Sequence, residues 1–311
     1  MQIYVSGSLA FDRIMTFPGR FSDHILPDKI HILNVCFLVN GLEEKFGGTA
    51  GNIAYTLALL NEKPLILSCA GKDFDPYAAW LTGFGLSMGG IRRDEEQHTA
   101  GAYITTDQSD NQITGFNPGA MGTPCGYEFG AVDAGADLAI VSPGNIEDML
   151  GLPEVYKAKG VRYIFDPGQQ ITALTGEQML AAITGSFALV TNDYELEMIV
   201  KATGESREQL QERTGAIVTT LGEQGSVIRQ NGDTTDVPPA KAAATVDPTG
   251  AGDAYRAGLI KGLAMGRPLA DAALLGSVAA SYCVEQRGTQ AHSFTLEEYA
   301  SRYEDNFGPM V

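Results

Sequence analysis

The chain has 311 residues, of which 44% are hydrophobic and 19% are charged, and its formal net charge is −17. This length and composition are those of a globular protein with one large α/β domain or two smaller ones. Nucleic acids and acidic membranes attract basic surfaces, so the excess of acidic residues argues against both as partners. A nucleotide substrate is still compatible with this charge, because backbone amides can hold phosphates on an acidic protein.

Four cysteines, Cys36, Cys69, Cys125 and Cys283, are scattered along the chain. Their spacing matches neither a metal site nor a disulfide framework, so we expect buried thiols in a reducing compartment. The first residues show no basic leader and no secretory apolar segment, and no apolar run approaches membrane-spanning length. The sequence therefore predicts a soluble protein of the cytoplasm.

The N-terminal part begins with a short apolar strand, Ile3–Val5, and Asp12 follows soon after it. Ligands of open α/β sheets bind at the carboxyl ends of strands, so Asp12 is a candidate for holding substrate hydroxyls; the alternative is that it caps a turn. Residues 14–46 contain two proline turns and two strand-like runs, Ile30–Leu33 and Val35–Val39. We predict an irregular β excursion there rather than a crossover helix.

A glycine cluster, Phe46-Gly47-Gly48-Thr49-Ala50-Gly51-Asn52, precedes a predicted helix over Ile53–Leu60. Gly47 and Gly48 would let a substrate approach the backbone, and Asn52 offers both a donor and an acceptor. The alternative is a tight strand-to-helix turn with close packing.

The following segments predict a strand over Leu65–Cys69, a helix over Tyr77–Thr82 and a hairpin. The hairpin pairs residues 99–106 with residues 112–116 around the polar turn Asp107–Asn111. Together with the excursion over residues 14–46, it would complete a small second sheet.

From about Asp137 onward, strands, turns and helices alternate, which predicts a mainly parallel sheet with right-handed crossovers. The predicted strands are Leu138–Val141, Tyr163–Phe165, Ala188–Val190, Ala216–Thr219 and Val227–Arg229, and the predicted helices are Tyr194–Thr203, Asp253–Met265, Pro268–Glu285 and Leu296–Tyr303. No internal repeat or flexible linker interrupts this pattern.

The most informative stretch is Asp247-Pro248-Thr249-Gly250-Ala251-Gly252-Asp253, at the start of a predicted helix. The free N–H groups and the dipole of a helix start attract anions, and the small residues Gly250, Ala251 and Gly252 let a phosphate come close. A charged carboxylate beside such a cradle would repel the phosphate unless it accepts a proton from a hydroxyl that attacks that phosphate. Asp253 is therefore a candidate general base; the alternative is a helix cap with ordinary loop glycines.

The two glycine clusters and the strand–helix alternation together resemble the ribokinase-type sugar and nucleoside kinases, the PfkB family. The stretches over residues 247–253 and 46–52 are similar to its C-terminal and N-terminal signatures, Asn192-Asp193-Tyr194-Glu195 to its N-x-x-E motif, and Thr220-Leu221-Gly222 to its nucleotide-side loop. The resemblance covers nearly the whole chain. It implies a single ribokinase-like α/β domain over residues 1–311, with a mainly parallel central sheet flanked by helices and a small β-sheet lid formed by two insertions at about 14–46 and 98–118.

The resemblance implies an ATP-dependent phosphotransferase in which Asp253 is the general base and Gly250, Ala251 and Gly252 form the anion hole for the γ-phosphate. The residues that would bind the acceptor are Asp12, Gly47, Gly48, Thr49 and Asn52. Those implied for ATP are Asn192, Glu195, Thr220, Gly222 and Gly225, with Glu195 acting on Mg²⁺ through water. Asp247 and Thr249, near Gly288, would contact a monovalent cation such as K⁺.

Three features depart from the family pattern, the first being Pro248, which stands where a threonine is commoner. Arg256 stands where the family usually has a small or apolar residue, and we expect it to be a solvated or sheet-edge residue, with a phosphate contact as the alternative. The turn Asp166-Pro167-Gly168-Gln169 lacks the arginine that many sugar kinases of the family carry nearby, and Gln169 and Gln170 are neutral. A phosphorylated acceptor therefore has no evident counter-charge.

The opening stretch Gly7–Asp12 and the long apolar first lid segment look more like bacterial adenosine and nucleoside kinases than like ribokinase. A nucleoside needs an apolar slot for its base, which Phe37, Phe116 and the Leu33–Val39 run could supply. The same residues could be lid core or a dimer contact, which leaves a homodimer open. We expect adenosine as the acceptor, with a pentose or other sugar second. A catalytically silent binding protein is the alternative of another class, and the retention of Asp253 argues against it.

Overall fold

The computed structural model describes residues 1–32, 34–109 and 111–309. The strands are β1 (Ile3–Ser6), β2 (Ala10–Thr16), β3 (Asn40–Gly47), β4 (Leu65–Gly71), β5 (Ile91–Asp94), β6 (Ala100–Thr106), β7 (Gln112–Asn117), β8 (Leu138–Val141), β9 (Arg162–Phe165), β10 (Ala188–Asn192), β11 (Ile217–Thr220), β12 (Ser226–Gln230) and β13 (Asp233–Val237). The α-helices are α1 (Thr49–Leu59), α2 (Asp75–Gly83), α3 (Ile146–Lys159), α4 (Gly176–Ile183), α5 (Asp193–Thr203), α6 (Arg207–Arg213), α7 (Ala251–Ala264), α8 (Leu269–Cys283) and α9 (Leu296–Phe307).

The larger sheet has nine strands within the described part of the chain, in the order β13-β12-β11-β10-β9-β8-β1-β4-β5. The strands from β11 to β5 pair in parallel, and β12 and β13 are added antiparallel at one edge. From the centre, β4 and β5 follow β1 on one side, whereas β9, β10 and β11 follow β8 on the other. The carboxyl ends of β1 and β8 therefore flank the crevice where open α/β sheets bind ligands.

Helices cover both faces of this sheet. Ile3 and Val5 of β1 pack with residues of α1, α7 and α8, whereas Tyr4, which points to the opposite face, packs with residues of α3, α4 and α5. Strands that are buried on both faces read as continuous apolar runs, which explains why Leu138–Val141 was predictable from the sequence.

The smaller sheet includes strands from both segments that the sequence analysis assigned to it, but β2 begins at Ala10, before the first of these segments. Its order is β3-β2-β6-β7 in the described residues; β2 and β6 pair in parallel, and the two outer pairs are antiparallel. The predicted hairpin corresponds to β6 and β7. Asp110, within its predicted turn, lies outside the described residues.

Two strand predictions in the 14–46 segment are wrong. Residues Pro27–Ile32 form 3₁₀ turns instead, and residues 34–39 have no regular structure, while Leu33 lies outside the described residues. The strand that does form is the polar β3, whose charged residues Glu43, Glu44 and Lys45 suit the edge of a sheet. An apolar run indicates burial, but an edge strand such as β3 can form with most of its side chains exposed.

The helix predictions differ mainly at the helix starts. Helices α1 and α7 begin at Thr49 and Ala251, earlier than predicted, because Gly48 and Gly250 are the N-cap residues and the rest of each cluster forms the first helical turn. Helices α3, α4 and α6 were not predicted. For α3 the reason is local, since its interior contains Gly151 and Pro153, both poor helix formers.

Three of the four cysteines, Cys69, Cys125 and Cys283, are buried as expected. Cys36 is exposed, so the expectation is wrong for this residue, which lies in the irregular stretch over residues 34–39. In the described ranges, no helix combines the length and the apolar character needed to cross a membrane.

Candidate active site

The predicted anion cradle opens α7. Gly250 is the N-cap residue with a left-handed backbone (φ 82°), and Ala251, Gly252 and Asp253 follow in the first turn. The N–H of Ala251 donates to the carbonyl of Pro248 at 3.2 Å, whereas those of Gly252 and Asp253 have no backbone acceptor in the part of the chain that is described. Two N–H groups at a helix start thus stay available for an anion.

Asp253 is brought next to a predicted acceptor residue. Its Oδ2 accepts a hydrogen bond of 2.8 Å from Nδ2 of Asn52 on α1, although the two residues are far apart in sequence. Burial raises the pKa of Asp253, while the Arg256 guanidinium and the Asn52 hydrogen bond act in the opposite direction. The candidate base therefore has a raised pKa but a donor that favours its charged form.

Arg256 is buried, so the prediction of a solvated or sheet-edge residue is wrong. It lies three residues after Asp253 on the same side of α7 and forms an ion pair with Asp166, at the end of β9; its Nη2 donates to Asp166 Oδ1 at 2.8 Å. A Cβ at position 252 would lie 2.7 Å from Arg256 Nη1. The ion pair holds the guanidinium beside Gly252, and a larger residue at 252 would displace it.

Carboxylates outnumber the guanidinium around Asp253. Burial raises the pKa of Asp166 to about 7 and also raises that of Asp253; in both cases Arg256 opposes the shift and the Glu195 carboxylate adds to it. Burial likewise raises the pKa of Asp12, against the effect of Lys45. An excess of carboxylates in a partly buried site favours the binding of a cation.

Three of the five residues predicted to bind the nucleotide line one cavity with part of the anion cradle, whereas Asn192 and Glu195 are not in its lining. Its volume is about 530 Å³, and its lining includes Thr220, Gly222, Gly225, Ala251 and Gly252. A larger depression of about 730 Å³ lies beside α9, where Tyr282 and Arg302 are part of its lining, and none of the predicted site residues line it. The smaller cavity is the one that the motifs indicate.

Asn192 and Glu195 form a capping box at the start of α5. The Asn192 side chain accepts from the N–H of Glu195 at 2.7 Å, and Glu195 Oε2 accepts from the N–H of Asn192 at 2.8 Å. One oxygen of each side chain is therefore used to start the helix. No group of three or more histidine, cysteine or acidic residues placed to hold a metal occurs among the described residues.

The predicted cation residue Asp247 is held by backbone donors. Its Oδ1 accepts from the N–H of Thr249 at 2.9 Å and its Oδ2 from the N–H of Gly288 at 3.1 Å. Burial acts to raise the pKa of Asp247, but these hydrogen bonds and the nearby Lys45 lower it below its usual range. Thr249 and Gly288, which the sequence analysis grouped with Asp247 around a cation, thus both contact Asp247.

On the acceptor side, Gly48 is needed by the fold itself. It has φ 86°, and a Cβ there would lie 2.6 Å from the carbonyl oxygen of Ser8 and 2.7 Å from the N–H nitrogen of Ala10. The hydroxyl of Thr49 donates to the carbonyl of Pro143 at 2.8 Å, which ties the start of α1 to the end of β8. A Cβ at Gly47 would lie 2.8 Å from Oδ2 of Asp12, so these two predicted residues are adjacent.

Strand register places Asp12 and Phe116 on one face of the smaller sheet. Asp12 pairs with Ala102, and Ala102 pairs with Phe116, so the three side chains lie in one row. Two strand spacings separate Asp12 from Phe116, or about 10 Å. Phe116 is 52% exposed.

Phe37, the other aromatic residue predicted for a base slot, belongs to a cluster inside the 14–46 segment. Its ring centroid lies 4.8 Å from that of Phe17 and 5.0 Å from that of Phe21. This packing agrees with the alternative that Phe37 is lid core.

Sequence reasoning missed the Asp166–Arg256 pair and Gln290. The i, i+3 spacing of Asp253 and Arg256 places them on one helix face and could have identified the arginine. Gln290 donates to Asn52 Oδ1 at 3.0 Å across a sequence separation of 238 residues. No local pattern connects residues so far apart.

Comparison with known proteins shows the family. The profile of the pfkB family carbohydrate kinases matches residues 19–295. A nucleoside kinase of Methanocaldococcus jannaschii is 31% identical over 274 residues, which are 87% of this chain and 89% of the relative. The chain therefore belongs to the pfkB carbohydrate kinase family.

Solved structures agree with this assignment. The nucleoside kinase of Burkholderia thailandensis in complex with inosine has a TM-score of 0.85 at 35% identity, covering 99% of this chain and 97% of that one. The M. jannaschii nucleoside kinase, described as an archaeal member of the ribokinase family, has a TM-score of 0.87 at 28% identity, covering 98% and 99%. The ribokinase-like α/β fold predicted from the sequence is confirmed, and the protein is a phosphotransferase with an alcohol acceptor.

Proposed function

We propose that this protein is a nucleoside kinase that transfers the γ-phosphate of ATP to the primary hydroxyl of a ribose-containing nucleoside, with adenosine as the expected acceptor. One observation carries the proposal. Asp253 comes directly after Gly252, which lines the 530 Å³ cavity. Its carboxylate contacts Asn52, which is close in sequence to Gly47, and Gly47 is adjacent to Asp12. A phosphate donor and a hydroxyl acceptor bound on these two sides would meet at Asp253.

Asp253 is the proposed general base. Its carboxylate takes the proton of the acceptor hydroxyl while that oxygen bonds to the γ-phosphorus and the bond to the β,γ-bridging oxygen breaks, which releases ADP. Asn52 occupies Oδ2, and Oδ1 makes no hydrogen bond with the described residues, so Oδ1 is the atom that receives the proton. A positioned base contributes a factor of roughly 10²–10⁴.

The donor phosphates are proposed to lie on the N–H groups of Gly252 and Asp253, with the nucleotide extending towards Thr220, Gly222 and Gly225. Phosphoryl transfer depends mainly on positioning and on charge stabilisation, which preorganised N–H groups provide. The Arg256 guanidinium, which its ion pair with Asp166 holds beside Gly252, adds positive charge near the proposed phosphate position. The B. thailandensis nucleoside kinase has been solved in complex with ADP-inosine, which supports a nucleotide as a ligand of this protein.

Mg²⁺ fits the donor set. In kinases this ion keeps several waters and uses one or two carboxylates together with the substrate phosphates, so a dedicated cluster of ligands is not needed. We propose that Glu195, with Asn192 beside it, contacts Mg²⁺ through water; the ion would neutralise charge on the phosphates. Asp247 and Thr249 are the proposed contacts of a monovalent cation such as K⁺, which would balance the charge of the Asp247 carboxylate.

A nucleoside fits the acceptor side better than a free sugar. On the face that carries Asp12, the smaller sheet has the charged Lys45 on the β3 side of Asp12 and Ala102 and Phe116 on the other side, with the paired Ile14 and Ile104 next along β2 and β6, so apolar residues adjoin Asp12 towards β6. Asp12 would hold ribose hydroxyls, with Gly47, Gly48, Thr49 and Asn52 shaping the same side, and Phe116 would contact the base when the smaller sheet covers the site as a lid. Relatives named nucleoside kinase and cytidine kinase support this class of acceptor.

The site of action that we infer is the cytoplasm, where thiols such as the three buried cysteines stay reduced.

The test of the function is ATP-dependent phosphorylation by the purified protein with Mg²⁺ and K⁺, using adenosine, inosine, guanosine, cytidine, ribose, fructose and fructose 6-phosphate. We expect turnover with nucleosides and the highest kcat/KM with adenosine. Turnover confined to free sugars would overturn the nucleoside proposal, and turnover of inosine or cytidine above adenosine would correct only the acceptor.

A further inference from the structure

The Gln290 side chain makes hydrogen bonds to three different side chains. Nε2 donates to Oδ1 of Asn52 at 3.0 Å and also to Oη of Tyr77, and Oε1 accepts from Nε1 of Trp80 at 3.0 Å. Gln290 itself is buried, in the irregular segment between α8 and α9, whereas its partners come from α1 and α2. Both amide hydrogens and the carbonyl oxygen of Gln290 are therefore used.

These contacts fix the direction in which each amide points. An indole N–H can only donate, so the atom of Gln290 that faces Trp80 must be the oxygen. The NH₂ group of Gln290 then faces Asn52, which makes the facing atom of Asn52 its oxygen. It follows that the Asn52 NH₂ group points to Asp253, and this is the 2.8 Å hydrogen bond to Asp253 Oδ2.

The Tyr77 hydroxyl extends the same network towards the acceptor side. It accepts from Gln290 and donates its own hydrogen to the carbonyl of Gly47 at 2.9 Å. Gly47 is adjacent to Asp12. The Gln290 amide thus contacts both Asn52, which donates to Asp253, and Tyr77, which donates to the carbonyl of Gly47.

We propose that Gln290 is a positioning residue, which orients the Asn52 amide and, through Asn52, the carboxylate of Asp253. The inference rests on the proposed function, in which Asp253 is the general base. Without Gln290, the Asn52 amide could turn its oxygen towards Asp253, and two oxygen acceptors would then repel each other. The base would lose its only side-chain donor among the described residues.

The substitution Gln290→Leu tests the proposal, with Gln286→Leu as the matched control. Gln286 lies in the same segment, is exposed and makes no side-chain hydrogen bond with the described residues. We expect Q290L to lower kcat about tenfold, the effect of losing one hydrogen bond to a charged group, with the KM for ATP unchanged. Q286L should keep the wild-type kcat, and a wild-type kcat in Q290L would overturn the proposal.

A double-mutant cycle separates positioning from general loss of structure. If Gln290 acts through Asn52, the substitution Q290L should cause no further loss of kcat in a protein that already carries Asn52→Ala. If the two losses multiply instead, Gln290 does not act through Asn52 and the proposal fails.

A spectroscopic measurement tests the same link without activity. The chain contains one tryptophan, Trp80, so the ¹⁵N-labelled protein gives one indole N–H resonance, and its acceptor is Gln290. Asn52→Ala should shift this resonance, because it frees the Gln290 amide, whereas Q286L should not. An unmoved resonance in N52A would contradict the orientation argument. If the wild-type protein phosphorylates no nucleoside, the proposed function fails, but this measurement still decides whether Gln290 and Asn52 orient each other.

Discussion

The proposed nucleotide side and the proposed acceptor side of the site differ in the chemical groups that they present. The nucleotide side consists largely of backbone and small residues, Gly222, Gly225, Ala251 and Gly252, at the ends of strands and the start of α7. The acceptor side consists of side chains, Asp12 and Phe116, that one face of a four-stranded sheet presents, counting strands in the described residues. In the proposed function the first side would bind the phosphates of the donor, and the second would bind the acceptor, which can differ between proteins of one fold.

The largest expected effect concerns Asp253, where the two sides meet. Asp253→Asn keeps the size of the side chain and an oxygen that can accept from Asn52, but it removes the base. We expect kcat to fall by a factor of about 10²–10⁴, with ATP binding and the free energy of unfolding unchanged. Steady-state kinetics and nucleotide titration measure this, with Asp236→Asn on the exposed strand β13 as the control. A D253N variant with the wild-type rate would remove Asp253 from the mechanism.

The next effect concerns the buried pair below the nucleotide side. Arg256→Met leaves Asp166 buried without its partner, and such single removals cost about 3–5 kcal/mol of unfolding free energy. Asp166→Asn should cost a similar amount, and the double variant D166N/R256M should lose less than the sum of the two. Denaturant unfolding of the three variants measures this difference. Additive losses would show that the two residues do not depend on each other.

The same arginine is expected to influence the pH dependence of kcat/KM. The base must be unprotonated, so the rate falls as the pH drops through the pKa of Asp253, which burial raises above its usual range and Arg256 partly lowers. Loss of the guanidinium alone should therefore move this acidic limb to higher pH in the R256M variant. An unmoved limb would contradict an effect of Arg256 on the base.

A substitution of Asp12 should separate the two sides. Asp12→Ala removes a carboxylate proposed to hold ribose hydroxyls, and a hydrogen bond to a charged group is worth about 1.5–3 kcal/mol, so we expect the KM of the acceptor to rise about 10–100-fold. The KM of ATP should not change, because Asp12 lies on the smaller sheet, away from the nucleotide cavity. If both KM values rise together, Asp12 is structural and the division into two sides is wrong.

The smallest effect is expected for Phe116. Phe116→Ala should raise the KM of nucleosides about tenfold, since stacking of a base on an aromatic ring is worth about 1–3 kcal/mol. Ile113→Ala is the matched control, because Ile113 lies on the same strand, is similarly exposed and points to the opposite face. Equal effects of the two substitutions would mean that this face does not contact the base.

The nucleotide side was the more predictable of the two from sequence. The Gly250–Asp253 stretch and the Thr220–Gly225 loop are local motifs. The first lies at the start of a helix and the second at the end of a strand, which are the places where α/β folds bind ligands, and residues of both line one cavity. The central sheet was predictable for a similar reason, since strands such as β8 and β9 are continuous apolar runs buried on both faces.

The acceptor side depends on register and long-range contacts, which a single sequence does not display. Nothing local indicates that Phe116 shares a face with Asp12, or that Gln290 contacts Asn52. The prediction for Arg256 was wrong because an arginine is usually exposed, and the ion-pair partner that stabilises its burial, Asp166, is 90 residues away in sequence. The strand β3 was missed because an edge strand can be polar.

The most direct test of the proposed site is a crystal structure of the protein with adenosine bound. We predict that ribose hydroxyls lie within about 3.2 Å of the Asp12 carboxylate and that the primary hydroxyl lies within the same distance of an Asp253 oxygen. The base should lie along the face of the smaller sheet that carries Phe116. A ribose whose primary hydroxyl points away from Asp253, or a nucleoside in the cavity lined by Thr220 and Gly225 alone, would contradict the proposal.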